Sequence, residues 1–82
     1  MRTIEDMKTF VFPIVIEKDG NGFFAECTIL PGCATQGDTQ EEAVNNIKEA
    51  IQAYIGSLED DHETIPQLKT IPIGLQTVEV SM

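Results

Sequence analysis

Five carboxylates are the side chains of this sequence best suited to do chemistry. They are spread over the first half of the chain, at Glu17, Asp19, Glu26, Asp38 and Glu42. If folding brought them together, they could hold two divalent metal ions, as many nucleases do. Most of them have a simpler explanation, because they fall in a turn, on a strand face or at the start of a helix. The sequence therefore favours a binding protein over a metal-dependent nuclease, and no cofactor is expected.

The other reactive residue types do not form a catalytic motif. His62 stands alone in an acidic stretch, where a solvated surface histidine is the better interpretation. Cys27 and Cys33 lack the C-x-x-C spacing of zinc and redox sites, so we expect two small buried apolar side chains rather than a disulfide. The glycines match neither a dinucleotide-binding fingerprint nor a phosphate-binding loop. No catalytic residue is predicted.

The charge balance points to a protein partner rather than to nucleic acid. The chain has 82 residues and a formal charge of −9, from 14 acidic and 5 basic residues. Affinity for nucleic acid rests on lysine and arginine that neutralise phosphates, so direct binding to DNA or RNA is not expected. A basic protein would be attracted, although solubility alone explains an acidic composition equally well.

Length and hydropathy predict one small domain in the cytoplasm. An apolar content of 41% is enough for a modest core in a chain of this size. No apolar run approaches the roughly 20 residues of a membrane span, and the first residues contain no signal-peptide core. We therefore expect a soluble protein that forms a single domain over residues 1–82.

The clearest local signal is a helix that starts after Gly37. Thr39 and Glu42 have the spacing of a capping box, in which each side chain binds a free backbone N–H at the helix start. The apolar residues then recur with helical period, at Ala43, Ile47, Ala50, Ile51, Tyr54, Ile55 and Leu58. Polar residues are expected on the outward face, at Glu41, Glu42, Asn45, Asn46, Glu49 and Gln52, together with Ala53.

Runs of β-forming residues predict four strands around this helix. They cover residues 10–17, 23–29, 33–36 and 73–80. Residues 19–22 predict a tight hairpin turn, and Leu30-Pro31-Gly32 predicts a second turn. Pro13 cannot donate a hydrogen bond, which predicts an irregularity in the first strand or an N–H position that needs no partner.

The predicted fold class is α+β, with the order β-β-β-α-β and the helix on one face of a small mixed sheet. The sheet is mixed because a strand that follows a crossing helix is expected to lie parallel to a strand of the first hairpin. Residues 1–8 are expected to be a loose end, and residues 67–71 an extended connection.

Both faces of the predicted sheet carry apolar side chains. In the first strand Phe10, Phe12, Ile14 and Ile16 point one way, whereas Val11 and Val15 point the other. One helix can cover only one face of a sheet. We therefore expect a homo-oligomer, a dimer or higher, or a partner protein to cover the other face.

Five short motifs follow one another along the chain: Phe12-Pro13-Ile14-Val15-Ile16-Glu17, Gly22-Phe23-Phe24-Ala25-Glu26-Cys27, Leu30-Pro31-Gly32-Cys33, Thr35-Gln36-Gly37-Asp38-Thr39 and Glu42-Ala43. In this fixed order they resemble the HicB antitoxin family. The resemblance covers residues 10 to about 58 closely and is weaker in the last strand. One departure is Ile29, where the family usually has Asp before Leu-Pro-Gly.

This resemblance implies a partial ribonuclease-H-like fold without that enzyme's metal-binding carboxylates. It also implies an antitoxin that neutralises a HicA-like toxin, a small basic ribonuclease that cleaves messenger RNA, by occluding its RNA-binding face. Many relatives carry a DNA-binding domain after the last strand. This sequence ends at Met82, so neither that domain nor autorepression is expected.

The toxin-binding residues that we predict are the acidic ones at and after the helix start: Asp38, Glu41, Glu42 and Glu49. Their carboxylates would face a basic partner. The alternatives are an orphan HicB-like dimeric binding module with another partner and the metal-dependent nuclease considered above.

Overall fold

Four strands and one helix follow one another in the predicted order. The computed structural model describes residues 9–66 and 76–81. The elements are β1 (Thr9–Asp19), β2 (Gly22–Cys27), β3 (Ala34–Gly37), α1 (Gln40–Asp60) and β4 (Gln76–Ser81). The loose end expected at residues 1–8, the connection at 67–71 and the start of the last predicted strand at 73–75 lie outside the described residues.

The sheet has the strand order β3-β2-β1-β4, and every neighbouring pair is antiparallel. The prediction of a mixed sheet with a parallel last strand is therefore wrong. Residues 61–75 separate the helix from β4 and can span about 50 Å when extended. The helix of 21 residues is only about 32 Å long, so a connection of this length allows either direction for β4. The handedness rule applies to parallel strands and does not force a strand after a helix to be parallel.

Pro13 lies at a position of β1 where the absence of a backbone N–H does not interrupt the sheet. The N–H of Thr28 donates to the Pro13 carbonyl at 3.4 Å, so the backbone of Pro13 faces the chain just beyond the end of β2. On its other side Pro13 is opposite Thr77 of β4. The lost donor therefore falls at the end of the β1–β2 ladder, which explains how a central strand accommodates proline.

The second strand is shorter than predicted because the chain turns immediately after Cys27. The N–H of Leu30 donates to the Cys27 carbonyl at 3.3 Å, and the N–H of Cys33 donates to the Leu30 carbonyl at 3.0 Å.

The predicted hairpin at residues 19–22 is confirmed, since Asp19 pairs with Gly22. Its first central residue, Gly20, has a φ of +62°, a conformation that glycine adopts without strain.

The core lies between the helix and one face of the sheet. From the helix it contains Ala43, Ile47, Ile51 and Ile55, which confirms the helical period, whereas Tyr54 and Leu58 are half-buried. From the sheet and the turn after β2 it contains Phe12, Ile14, Ala25, Cys27, Leu30, Cys33, Val78 and Val80.

Within the described residues, no helix has the long apolar stretch that a membrane crossing requires.

We call the opposite side of the sheet the open face, because α1 does not pack on it. It carries Val11, Val15 and Phe24, which are half-buried, and the buried Pro13. Three exposed glutamates share this face, namely Glu17, Glu26 and Glu79. The prediction of apolar groups on both faces is confirmed, but the open face is also acidic.

The helix ends in a hydrogen-bonded cap that accounts for His62. The N–H of Glu63 donates to the Leu58 carbonyl at 2.8 Å, and the N–H of His62 donates to the Glu59 carbonyl at 3.1 Å. This pair of bonds is a Schellman motif, whose residue after the C-cap adopts a positive φ. His62 has a φ of +58° and is exposed. The Schellman motif at the end of α1 therefore explains the backbone conformation of His62.

Candidate functional site

The helix start is organised by two reciprocal hydrogen bonds, in which the side chains of Thr39 and Glu42 accept from backbone N–H groups within residues 38–42. Thr39 is the N-cap, and its hydroxyl accepts a bond from the backbone N–H of Glu42 at 3.0 Å. The Glu42 carboxylate accepts from the N–H of Asp38 at 3.0 Å. The capping box predicted a bond to the N–H of Thr39 itself, so the glutamate reaches one residue further back. Such caps stabilise a protein by about 1 kcal/mol.

Two further contacts fix β3 against this helix start. The side-chain amide of Asn46 donates to the Gln36 carbonyl at 2.8 Å. Gly37 lies so close to the helix that an ideal Cβ on it would be 2.5 Å from the backbone nitrogen of Ala43. The end of β3 and the first turn of α1 therefore form one tightly packed corner, and Asn46 faces β3 rather than only solvent.

The structure brings three of the four predicted binding residues together at this corner. Asp38, Glu41 and Glu42 are all exposed within one turn of the helix start. Glu49 is exposed too, but it is seven residues after Glu42, which places it about 10 Å further along the same side of the helix. The four carboxylates thus form an acidic strip that runs from the corner along the helix. We call this the acidic strip.

An open depression of about 320 Å³ lies beside the start of the acidic strip. It is lined by Asp19, Gly22, Phe23, Gln36, Gly37, Asp38 and Glu42, three of which are acidic and none basic. Asp19 lines it because the end of β1 and the start of β2 lie next to the end of β3: Asp19 pairs with Gly22, and Phe23 pairs with Gly37. A basic side chain of suitable length would find carboxylates on two sides of this depression.

The five carboxylates considered for metal binding do not converge. Asp19, Asp38 and Glu42 line the depression, whereas Glu17 and Glu26 lie on the open face of the sheet. Over residues 9–66 and 76–81, no group of three or more His, Cys, Asp or Glu side chains has a geometry that could hold a metal ion.

The two cysteines lie directly opposite each other at the end of the β2–β3 ladder. The N–H of Cys27 donates to the Cys33 carbonyl at 2.9 Å, and both thiols are free. Both side chains are buried, as expected from the sequence. Burial raises the pKa of the Cys27 thiol and raises that of Cys33 to about 11. Two raised pKa values mark unreactive thiols, because the thiolate is the reacting species.

We expect Cys33 to make the stability of this protein fall at high pH. Its pKa is about 9 when unfolded and about 11 in the folded protein, so the folded state holds its proton more tightly. The stabilisation that the protonated Cys33 thiol adds to the free energy of unfolding is complete below about pH 9. It is lost as the pH rises through about 11. Urea unfolding at a series of pH values checks this, with Cys33→Ala as the control that should show a weaker decline. Equal declines in the two proteins would contradict the assignment to Cys33.

Sequence patterns missed three of the residues that shape this site. The sequence pattern places Asp19 in a turn and Asn46 on the outward face of the helix, and neither has a local signal for its role. The pattern predicts a turn residue at Gly37, and only the packing of β3 on the helix shows why a side chain does not fit there. Each role depends on pairing between segments that are distant in the chain.

A family model describes most of this chain. Residues 12–80 match the model of the HicB-like antitoxin of bacterial toxin–antitoxin systems. The matched segment includes all four strands in large part, the whole helix and the acidic strip.

Several curated relatives carry the designation UPF0150. One from Helicobacter pylori is 60% identical over 47 residues, which cover 57% of this chain and 65% of that protein. One from Synechocystis is 41% identical over 66 residues, which cover 79% of this chain and 84% of that protein. One from Thermoplasma acidophilum is 49% identical over 57 residues, which cover 68% and 83% of the two chains.

A solved structure shares the fold. The crystal structure of the N-terminal domain of the antitoxin HicB from Burkholderia pseudomallei superposes with a TM-score of 0.70 and 25% sequence identity. The superposition covers 89% of this chain and 98% of that domain. Together with the family match over residues 12–80, this similarity shows that the chain belongs to the HicB-like antitoxin family of bacterial toxin–antitoxin systems.

Proposed function

We propose that this protein neutralises a HicA-type toxin, a small basic ribonuclease, by binding it directly and occluding its RNA-binding face. The observation that carries the proposal is the acidic strip, in which four exposed carboxylates adjoin a depression with acidic and no basic lining residues. A surface that binds RNA must attract phosphates with cations. A protein surface of carboxylates is complementary to the same cations and competes with RNA for them.

The mechanism requires binding and no chemistry from this chain. The carboxylates attract a basic partner and so raise the rate of association. Salt limits this attraction to a Debye length, about 10 Å at 0.1 M salt. The rigid corner between β3 and α1 holds them in place before the toxin arrives, so little ordering is needed on binding. We infer that the antitoxin acts in the cytoplasm, where the toxin would meet messenger RNA, without contacting DNA, RNA or a membrane itself.

We also propose that the protein self-associates. The open face was the reason for expecting an oligomer, because its apolar residues are not covered by α1. The exposed Glu17, Glu26 and Glu79 on that face make it a poor surface for packing against an identical copy, since like charges would meet. The contact between copies is better sought elsewhere on the molecule.

The test is to search the DNA beside the gene for a reading frame that encodes a small basic protein, and to co-express that protein with this chain. We expect the neighbouring protein alone to arrest growth, and this antitoxin to restore growth and to co-purify with it. A control strain expresses the toxin with an unrelated acidic protein of similar size, which should not rescue. A toxic neighbour that is neither bound nor neutralised by this chain would refute the proposal and leave a HicB-like module with another partner.

A further inference from the structure

The open face has an apolar centre that runs along the middle of the sheet. Val11, Pro13 and Val15 follow one another at every second position of β1, which has β2 on one side and β4 on the other. From Val11 to Val15 this centre is about 13 Å long. Phe24 of β2 extends it, because Phe24 lies diagonally opposite Val15, within reach of an aromatic ring. Val11, Val15 and Phe24 are only half-buried, so apolar surface faces outward.

Glutamates stand on both sides of this apolar centre. Glu79 of β4 is paired with Val11 on one flank, and Glu26 of β2 is paired with Val15 on the other. Glu17 follows Val15 on β1 itself, and all three glutamates are exposed. Neighbouring strands are about 4.8 Å apart, so each carboxylate lies at the margin of the apolar residues. None of the residues that the described strands place on this face is a lysine or an arginine.

An apolar centre with an acidic margin restricts what can cover the open face. A second copy would bring like charges together, and nucleic acid would be repelled by the glutamates. A purely cationic surface would satisfy the carboxylates but would give the apolar side chains no apolar contact. The complementary surface therefore has apolar side chains in its middle and lysine or arginine on both sides.

We propose that the open face binds an amphipathic basic helix of a second protein, different from the toxin. An apolar centre of about 13 Å corresponds to about nine helical residues at 1.5 Å each. Apolar residues spaced three and four positions apart would contact Val11, Pro13 and Val15, and the basic residues beside them would approach the three glutamates. The sheet would then have a helix packed on each face. This inference does not depend on toxin binding.

The position of the acidic strip is the reason for assigning the helix to a protein other than the toxin. Ile47 and Ile51 of α1 face the sheet, and Glu49 lies midway between them, on the side of the helix turned away from the sheet. The acidic strip along α1 and the open face therefore point in opposite directions. A toxin whose RNA-binding face lies on the acidic strip leaves the open face free. We expect the chain to hold both proteins at once.

A synthetic peptide can represent the proposed helix. It should have about 18 residues, because isolated helices shorter than about 15 residues are marginal in water. Leucines with a spacing of three and four residues form its apolar stripe, and lysines occupy the positions on both sides. The control is an isomer of identical composition whose leucines are distributed around the helix. The two peptides have the same charge, so only the amphipathic arrangement differs between them.

Titration of the full chain with each peptide, followed by NMR, tests the chemistry of the open face. We expect the amphipathic peptide to bind about tenfold more tightly than its isomer at about 0.15 M salt, with shifts of the backbone amides of Val11, Val15 and Phe24. Phe24→Ala should weaken this binding about tenfold, and the loss should persist at high salt because it removes apolar contact. Circular dichroism verifies that the variant is folded.

Charge reversal distinguishes the open face from the acidic strip. Glu26→Lys combined with Glu79→Lys should weaken binding of the amphipathic peptide about tenfold at low salt. Glu41→Lys combined with Glu49→Lys is the matched control, because it reverses two exposed glutamates of the acidic strip. Two reversals of two units each bring either variant from −9 to −5. The control should bind the amphipathic peptide nearly as well as the unmodified protein does.

Three results would overturn the inference. Equal affinities of the two peptides, or shifts confined to the acidic strip, would show that the open face does not prefer an amphipathic helix. Displacement of the peptide by bound toxin would assign the open face to the toxin. Conversion of an oligomer to monomers by the peptide would assign it to a second copy of the chain. Failure of growth rescue with intact peptide binding would refute only the antitoxin proposal.

Discussion

Replacing Asp38, Glu41 and Glu49 together by lysine is expected to weaken toxin binding about 100-fold at low salt, which corresponds to about 2.7 kcal/mol. Each substitution removes an attractive carboxylate from the acidic strip and puts a repelling ammonium in its place. Glu42 is left unchanged because its carboxylate binds the N–H of Asp38 and caps the helix. Its reversal would mix a loss of folding stability with a loss of binding.

A matched variant distinguishes the position of the charge from its amount. Lysine at Glu59, Asp60 and Glu63 makes the same change at the other end of the helix, where all three side chains are exposed. Three reversals of two units each bring either variant from −9 to −3. Titration calorimetry with the toxin should show near-normal affinity for this control, and added salt should narrow the difference between the two variants. Equal affinities at low salt would remove the acidic strip from the interface.

Gly37→Ala is expected to destabilise the fold by about 3 kcal/mol, which lowers the melting temperature by roughly 10 to 20 °C. The new Cβ would be 2.5 Å from the Ala43 nitrogen and 2.9 Å from the Glu42 carbonyl carbon. Both atoms belong to the helix backbone, so no side-chain rotation relieves the clash. Either β3 must leave the helix start, or the first turn of α1 must unwind. Differential scanning calorimetry measures the change.

The control is the same substitution at a glycine without close neighbours. Gly56 lies in the helix, and a Cβ on it would meet nothing within 4 Å. Alanine is favoured over glycine in a helix interior by about 1 kcal/mol, so Gly56→Ala should stabilise the protein. A melting temperature of Gly37→Ala equal to that of the unmodified protein would show that the corner is not tightly packed.

Features coded by neighbouring residues could be predicted from the sequence. The cap at Thr39, the helical period of Ala43, Ile47, Ile51 and Ile55, and the hairpin at residues 19–22 are all confirmed. Each depends on residues within a few positions of one another, where backbone preferences and side-chain spacing act directly. The exposure of the three acidic residues at the helix start follows from the same local pattern.

Features that depend on distant segments were not predictable in this way. The antiparallel direction of β4 is fixed by its pairing with β1, which no local pattern in the sequence indicates. The reach of Glu42 to Asp38, the bond from Asn46 to Gln36 and the entry of Asp19 into the depression likewise require the folded arrangement.

The sequence by itself determined the elements, their order, the buried side of the helix and the acidic strip, because local propensity and periodicity carry that information. Only the tertiary structure decided which strands are neighbours, which backbone groups point outward, and why Gly37 has no room for a side chain. Strand pairing joins residues far apart in the chain, and its energy depends on register and packing rather than on local preference.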